Sequence, residues 1–189
     1  AVGSGGVGTS AALIAARRGF FEKWVVSDYD IGRAKAVVDR IQDDRFVAAQ
    51  VDASDADAVA ALCREHGITH VLNVVDPRFV MPIFNGAFAA GADYLDTAMS
   101  LSRRSPRHPY EEVGVKLGDE QFAHEREWVD AGRLALCGMG VEPGLADVFA
   151  RYASDHLFRS IDEIGIRDGA NLVVEGYDFA PSFSIWTTI

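Results

Sequence analysis

The sequence lacks the features that mark several classes of protein. It has two cysteines, Cys63 and Cys137, which stand far apart and form no motif, so no disulfide framework is indicated and a reducing cytoplasm is expected. No apolar run approaches the roughly 18 residues of a membrane-spanning helix, and no basic segment leads into an apolar run at the start. The five histidines are scattered without metal-ligand spacing, so we expect no metal site.

The sequence is also poor in positive charge. Its 18 lysines and arginines stand against 28 acidic residues, which gives a net charge of −10. This balance disfavours nucleic acid and anionic membrane surfaces as general partners. Neither nucleic acid nor an anionic membrane surface is therefore expected as a partner.

What the sequence does contain is a regular alternation of apolar strands and helical patterns. The strands are continuously apolar, as expected where both faces of a sheet are covered. Strand and helix in alternation predict an α/β fold, a doubly wound parallel sheet with helices on both sides. The predicted strands cover residues 23–30, 45–55, 69–77, 93–98 and 133–140, and the predicted helices cover 31–41, 56–67, 79–92, 119–132 and 141–158.

The pattern changes near residues 150 to 160. We expect one α/β domain over 1–155 and the beginning of a second, mixed α+β domain over 156–189, where strands joined by turns are predicted from 161 onward. Only Ala1 and Val2 precede Gly3, whereas a strand leading into a turn usually has about 5 residues. The chain is therefore expected to be a fragment of a longer protein.

The opening stretch, AVGSGGVGTSAALIAARRG, raises the functional question. Its glycines either form a flexible start or a tight turn that lies against a ligand. Gly3, Gly5 and Gly8 fit the pattern G-x-G-x-x-G, in which the glycines permit a tight turn, close approach of a pyrophosphate, and close helix–strand packing. A helical pattern follows at once, and a helix start offers free N–H groups to phosphate.

Asp28 supports the second interpretation, because it ends the next predicted strand 20 positions after Gly8. A carboxylate at this place accepts hydrogen bonds from the adenosine ribose, although Asp28 could instead cap the following helix. A carboxylate there also repels a 2′-phosphate, and Tyr29 stands where arginine would favour NADP. We therefore expect NAD rather than NADP, with Arg33 as a residue that could still bind a phosphate.

Polar residues also follow the other predicted strands, at the edge where such sheets bind ligands. His70 lies at the opposite edge and is expected on the surface. Asp52 could equally cap the next helix. The expected cofactor-binding residues are Gly3, Gly5, Gly6, Val7, Gly8, Asp28, Asp52, Asn73, Asp76 and Thr97.

Several segments together resemble the saccharopine dehydrogenase family. They are VGSGGVGTSAALIAARR, VVSDYDIGRAKAV, VLNVVDPRFVMPIFNGAFAAGADYLDTA, CGMGVEPGLADVFARYA and YDFAPSFSIWTTI, and they cover nearly the whole chain. The resemblance implies an NAD(P)-dependent enzyme with a Rossmann domain and a second domain that holds the substrate. The family often has Asp-Arg after the second strand, whereas this chain has Asp28 and Tyr29.

The resemblance implies oxidation of a C–N bond of an amino acid, or reduction of the corresponding imine. Such chemistry needs a group that transfers a proton, and Asp96, at the end of a buried strand, is the leading candidate. Arg103 and Arg104 are candidates for substrate carboxylates. Glu142 and Gly144, at the start of a helix, are candidates for the substrate or the carboxamide of the cofactor.

The resemblance implies a small-molecule amino-acid substrate. Saccharopine is the first expected substrate, which would place the protein in lysine metabolism, and the expected assembly is a homodimer. Lysine 6-dehydrogenase and carboxynorspermidine dehydrogenase activities are the alternatives within the family. Two further classes remain open: a dinucleotide-sensing Rossmann protein without catalysis, and a methyltransferase, whose nucleotide-binding turn is also rich in glycine.

Overall fold

The fold is described from a computed structural model that covers residues 1–167 and 175–176. Its helices and strands alternate in the predicted order. The helices are α1 (Gly6–Ala15), α2 (Ile31–Ile41), α3 (Ala56–His66), α4 (Val80–Ala90), α5 (Asp119–Phe122), α6 (Glu125–Asp130) and α7 (Leu145–His156). The strands are β1 (Trp24–Asp28), β2 (Phe46–Gln50), β3 (His70–Asn73), β4 (Asp93–Asp96) and β5 (Ala135–Leu136).

The strands form one parallel arrangement that Val2 connects. β1 pairs with β2, β3 pairs with β4, and β4 pairs with β5, all in parallel. Val2 forms parallel bridges with both Ser27 of β1 and Asn73 of β3. The resulting order is β2–β1–Val2–β3–β4–β5, which is the Rossmann order with Val2 in the position of the first strand. The predicted fold class is confirmed.

Two buried clusters hold the helices against this sheet. Ala12 of α1 and Ala34 of α2 share one cluster with Val26 and Phe46. The other cluster joins α3 and α4 to β3 and β4 around Phe84, whose ring contacts those of Tyr94 and Trp128 at 5.2 and 4.7 Å. The helices thus fall into two pairs, as expected when a sheet is covered on both faces.

Three predicted elements are wrong in extent, each for a local reason. The strand over 133–140 is only Ala135–Leu136, because Gly138 takes a φ of +73° and leaves the strand direction. The helix over 119–132 is two helices, since the N–H of His124 bonds the carbonyl of Gln121, three residues back. The helix over 141–158 begins only at Leu145, after a turn in which Gly140 and Gly144 form a bridge.

The chain divides into two compact units, the first being Ala1–Leu145 and the second beginning at Ala146. The predicted domain boundary at residue 155 stays a prediction. Residues 161–167, where strands were expected, form no strand, and the remaining strands predicted after 167 lie outside the described residues. Within the described part of the chain, no helix is long and apolar enough to cross a membrane.

A candidate dinucleotide-binding site

The glycine turn joins Val2 to α1 at the centre of the sheet. Gly3 has a φ of +101°, a conformation that side chains rarely adopt, and a Cβ atom there would lie 2.6 Å from Cγ1 of Val75. A Cβ atom on Gly8 would lie 1.9 Å from the carbonyl oxygen of Gly3. These two glycines are therefore required by the packing of the turn itself.

The middle of the turn is different, because nothing inside the domain requires glycine there. A Cβ atom on Gly5 would meet only the guanidinium of Arg33, at 3.9 Å, and one on Gly6 would meet nothing within 4 Å. The first-turn N–H groups of Gly6, Val7 and Gly8 have no acceptor within the described residues. This stretch of bare backbone fits a pyrophosphate, which a helix N-terminus of this kind binds.

Asp28 lies at the end of β1 and fixes this turn. Its Oδ2 accepts hydrogen bonds from the N–H and the hydroxyl of Ser4, at 2.8 and 2.7 Å, and its Oδ1 accepts one from the N–H of Asp30 at 3.1 Å. Burial alone would raise the pKa of Asp28, but these bonds and the charge of Arg33 hold it below its usual value. The helix cap of α2 is Asp30 and not Asp28.

Asp28 keeps about one acceptor position for a ribose hydroxyl, and its contact with the ribose stays a prediction. An ionised carboxylate accepts about four hydrogen bonds, and three are made within the domain. Arg33, on the first turn of α2 and exposed, lies at this end of the site, with one guanidinium nitrogen 3.9 Å from a Cβ atom placed on Gly5, and its charge lowers the pKa of Asp28. Its guanidinium makes no hydrogen bond in the described part of the chain. Sequence reasoning noted Arg33 but did not place it beside Gly5.

Asp52 and Asp76 both lie at the expected edge and are engaged in local turns. Asp52 is exposed after β2 and accepts hydrogen bonds from the N–H and hydroxyl of Ser54, which lower its pKa. Asp76 begins the 3-10 turn Pro77–Phe79 and pairs with Arg78. Their roles at the cofactor stay predictions.

The polar residues at the ends of β3 and β4 form one buried network. Asn73 donates to the hydroxyl of Tyr94 at 2.9 Å, and that hydroxyl donates to Oδ2 of Asp96 at 2.8 Å. Gln121 donates to the same oxygen at 2.8 Å, and the N–H of Gly138 donates to Oδ1 at 2.6 Å. The network ties two strands to α5 and to the turn after β5.

Asp96 is buried, and groups of the chain hold its carboxylate in place. Its residue is 1% exposed, and both carboxylate oxygens are bound by donors of the chain. Burial raises its pKa against the opposing effect of those hydrogen bonds. These contacts are those of a positioning residue that holds the turn after β5, and proton transfer by Asp96 stays a prediction.

Two hydrogen-bond partners of Asp96, Tyr94 and Gln121, are not among the site residues predicted from the sequence. Tyr94 stands two residues before Asp96, and this spacing places both side chains on the same face of the strand. Gln121 gave no signal, because it is distant in sequence. Cys137 lies 3.3 Å from Nε2 of Gln121, and burial together with the Asp96 charge raises its pKa to about 12.

The remaining candidates lie on the loops after β4 and β5. Thr97 is half-buried, and its carbonyl oxygen would lie 2.3 Å from a Cβ atom on Gly140. Arg103 pairs with Glu120, whereas Arg104 lies over the ring of Tyr110 at 5.9 Å. Glu142 is exposed, and Gly144 is buried with a φ of +132°. Within the described residues, no cluster of side chains could hold a metal ion.

The fold and the glycine turn define the first unit as a Rossmann-type dinucleotide-binding domain. Residues 1–136 match the family model described as the saccharopine dehydrogenase NADP binding domain. The chain therefore belongs to the saccharopine dehydrogenase family. A domain of this type binds a nicotinamide dinucleotide, and the predicted family is confirmed.

Relatives and a solved structure agree with this assignment. The chain is 29% identical over 191 residues to a carboxynorspermidine synthase of Vibrio alginolyticus, and 29% identical over 185 residues to a carboxyaminopropylagmatine dehydrogenase of Synechocystis sp.. The two alignments include 96% and 97% of this chain but only 45% and 44% of the relatives, so the chain spans about half the length of each relative. The apo saccharopine dehydrogenase (L-Glu forming) of Saccharomyces cerevisiae shares the fold, with a TM-score of 0.62 at 19% identity over 84% of this chain and 30% of that one.

The two kinds of glycine in the turn predict opposite effects of one added methyl group. We expect Gly8→Ala to lower the free energy of unfolding by about 3 kcal/mol, because its Cβ would overlap the carbonyl of Gly3. We expect Gly6→Ala to keep or raise stability, since alanine is favoured in a helix by up to about 1 kcal/mol, yet to weaken NADPH binding. Urea unfolding measures the stability of both variants, and a fluorescence titration measures their affinity for NADPH. If Gly6→Ala bound NADPH as tightly as the wild type, the phosphates would not lie against Gly6.

The network around Asp96 predicts a second effect. In Asp96→Asn one carboxylate oxygen becomes an amide donor that faces another donor, so we expect the free energy of unfolding to fall by about 2 kcal/mol. The matched control is Asp130→Asn on α6, where the side chain is exposed and the change should stay under about 0.5 kcal/mol. Equal stability of the two variants in urea would show that the network contributes nothing.

Proposed function

We propose that the protein is an NADP-dependent oxidoreductase that acts on the C–N bond of an amino-acid-derived amine. The observation that carries this proposal is the bare backbone of Gly5 and Gly6 at the start of α1, in a chain of this family. The names of the curated relatives support the reaction class, since one is a dehydrogenase and both names denote carboxylated amines.

Different residues of this chain would bind different parts of the cofactor. The N–H groups at the start of α1 would bind the pyrophosphate, while Asp28 keeps Ser4 and the turn in place. Arg33 would bind the phosphate on the adenosine ribose. When bound, the nicotinamide ring supplies or accepts the hydride, which is chemistry that no side chain provides.

Arg33 is the reason for proposing NADP and not NAD. The expectation of NAD rests on Asp28 and Tyr29, but Asp28 accepts hydrogen bonds from Ser4 and Asp30, whereas the exposed Arg33 beside it is free to meet a phosphate. A guanidinium binds phosphate through charge-assisted hydrogen bonds, and the description of the matching family model as NADP binding agrees with this choice.

The substrate proposed first is a carboxylated polyamine, with saccharopine and lysine as alternatives. We expect the full-length protein to give its highest kcat/KM with carboxynorspermidine, compared with saccharopine and lysine, and to prefer NADP to NAD. Initial rates of NADPH and NADH formation with each substrate measure this. A protein that binds NADPH but transfers hydride with none of these or related amines would instead be a dinucleotide sensor.

The role of Arg33 predicts a change in cofactor preference. We expect Arg33→Gln to weaken NADPH binding at least tenfold, because charge-assisted hydrogen bonds contribute about 1.5–3 kcal/mol and 1.4 kcal/mol is a factor of ten. Binding of NADH should change less than twofold. Lys35→Gln, two residues further along α2, is the control that removes the same charge from another exposed position. Equal losses of NADPH and NADH affinity in Arg33→Gln would refute the proposed phosphate contact.

A further inference from the structure

A cleft of about 300 Å³ lies in the first unit, beyond the carboxyl ends of β3 and β4. Segments from both strand ends and from α5 form its walls. Its lining residues include Arg78, Met81, Ser100, Leu101, Arg103 and Glu120. In the strand order, β3 and β4 lie on the opposite side of Val2 from β1. The cleft therefore lies on the side where a dinucleotide on the glycine turn would place its nicotinamide half.

The lining of this cleft carries both signs of charge. Arg103 donates through Nη2 to the carboxylate of Glu120. Arg78 donates through Nε and Nη2 to Asp76, at 3.0 and 3.3 Å. A guanidinium has five N–H donors, so each arginine keeps at least three for a ligand. The two arginine side chains are 72% and 64% exposed, and that of Glu120 is 32% exposed.

Ser100 adds a hydroxyl that the domain leaves unpaired. The residue is 1% exposed, and its N–H donates to Oε1 of Gln121 at 2.8 Å. Its Oγ is buried and has no hydrogen-bond partner among the described residues. An unmade hydrogen bond at a buried hydroxyl is unfavourable, and Ser100 is one of the residues that line the cleft.

We propose that this cleft binds the amino-acid end of the substrate, with Arg103 and Arg78 on the carboxylate and Glu120 on the ammonium group. This inference rests on the proposed function, because it places the substrate beside the nicotinamide half of the cofactor. A zwitterion matches the lining better than a simple anion does, since the carboxylate of Glu120 would repel an anion but attract the neighbouring ammonium. Guanidinium and carboxylate groups give charge-assisted hydrogen bonds to such a ligand.

The test uses the full-length protein and three small probes: L-2-aminobutyrate, butyrate and propylamine. Dissociation constants are measured by ligand-detected NMR, with and without NADPH, in the wild type and in Arg103→Gln, Glu120→Gln and Arg126→Gln. Arg126 is the matched control, because it also pairs with an acidic residue but lies on α6 and outside the cleft. The measurement without cofactor tests whether the cleft binds the probes even if NADPH does not bind to the protein.

We expect the wild type to bind L-2-aminobutyrate about tenfold more tightly than either other probe, and Arg103→Gln to lose about tenfold of that affinity. Glu120→Gln should bind butyrate as well as the wild type or better, and should lose its preference for the amino acid. Arg126→Gln should match the wild type. Equal affinities of Arg103→Gln and Arg126→Gln, or no preference for the amino acid in the wild type, would overturn the proposal. Failure of NADPH binding or of hydride transfer alone would instead refute the proposed function.

Discussion

The backbone of the glycine turn and the strand ends beside it lie so close together that they exclude side chains. The carbonyl of Gly3 occupies the space where Gly8 would carry a Cβ atom, and Val75 closes the space beside Gly3. This close packing brings the start of α1 directly against the centre of the sheet. As a result, the first-turn N–H groups of the helix lack acceptors among the described residues at a place where Gly6 is exposed and only the guanidinium of Arg33 approaches Gly5. The whole cofactor assignment depends on this arrangement.

Two groups of polar contacts hold the surroundings of the turn. Asp28 binds Ser4 beside β1, and the network around Asp96 holds the loops after β4 and β5. Both carboxylates are bound mainly by groups of the protein. They therefore stabilise the shape of the strand ends, while exposed residues such as Arg33 and Arg103 remain available to ligands. A polar residue at a strand end of this domain is therefore not necessarily free to contact a ligand.

The order of strands and helices could be predicted from the sequence, because each buried strand is a short apolar run, and glycines, Gly67 and Gly91, end α3 and α4. The sequence was sufficient for the glycine turn, since the motif and Asp28 have a fixed spacing. It could not reveal that Ser4 donates two hydrogen bonds to Asp28, or that Gln121 donates one to Asp96, 25 residues away in sequence. Such contacts depend on how loops fold back, and no local pattern encodes them. The short β5 and the late start of α7 follow from glycine conformations in the same way.

The central claim is that the amides at the start of α1 bind the pyrophosphate of the cofactor. The most direct measurement is a titration of the ¹⁵N-labelled protein with NADPH, followed by the amide signals in NMR spectra. We expect the largest shifts at Gly5, Gly6 and Val7, and small shifts at His70 and Asp93, which lie at the opposite edge of the sheet. Saturable binding that leaves the signals of Gly5, Gly6 and Val7 in place would contradict the account.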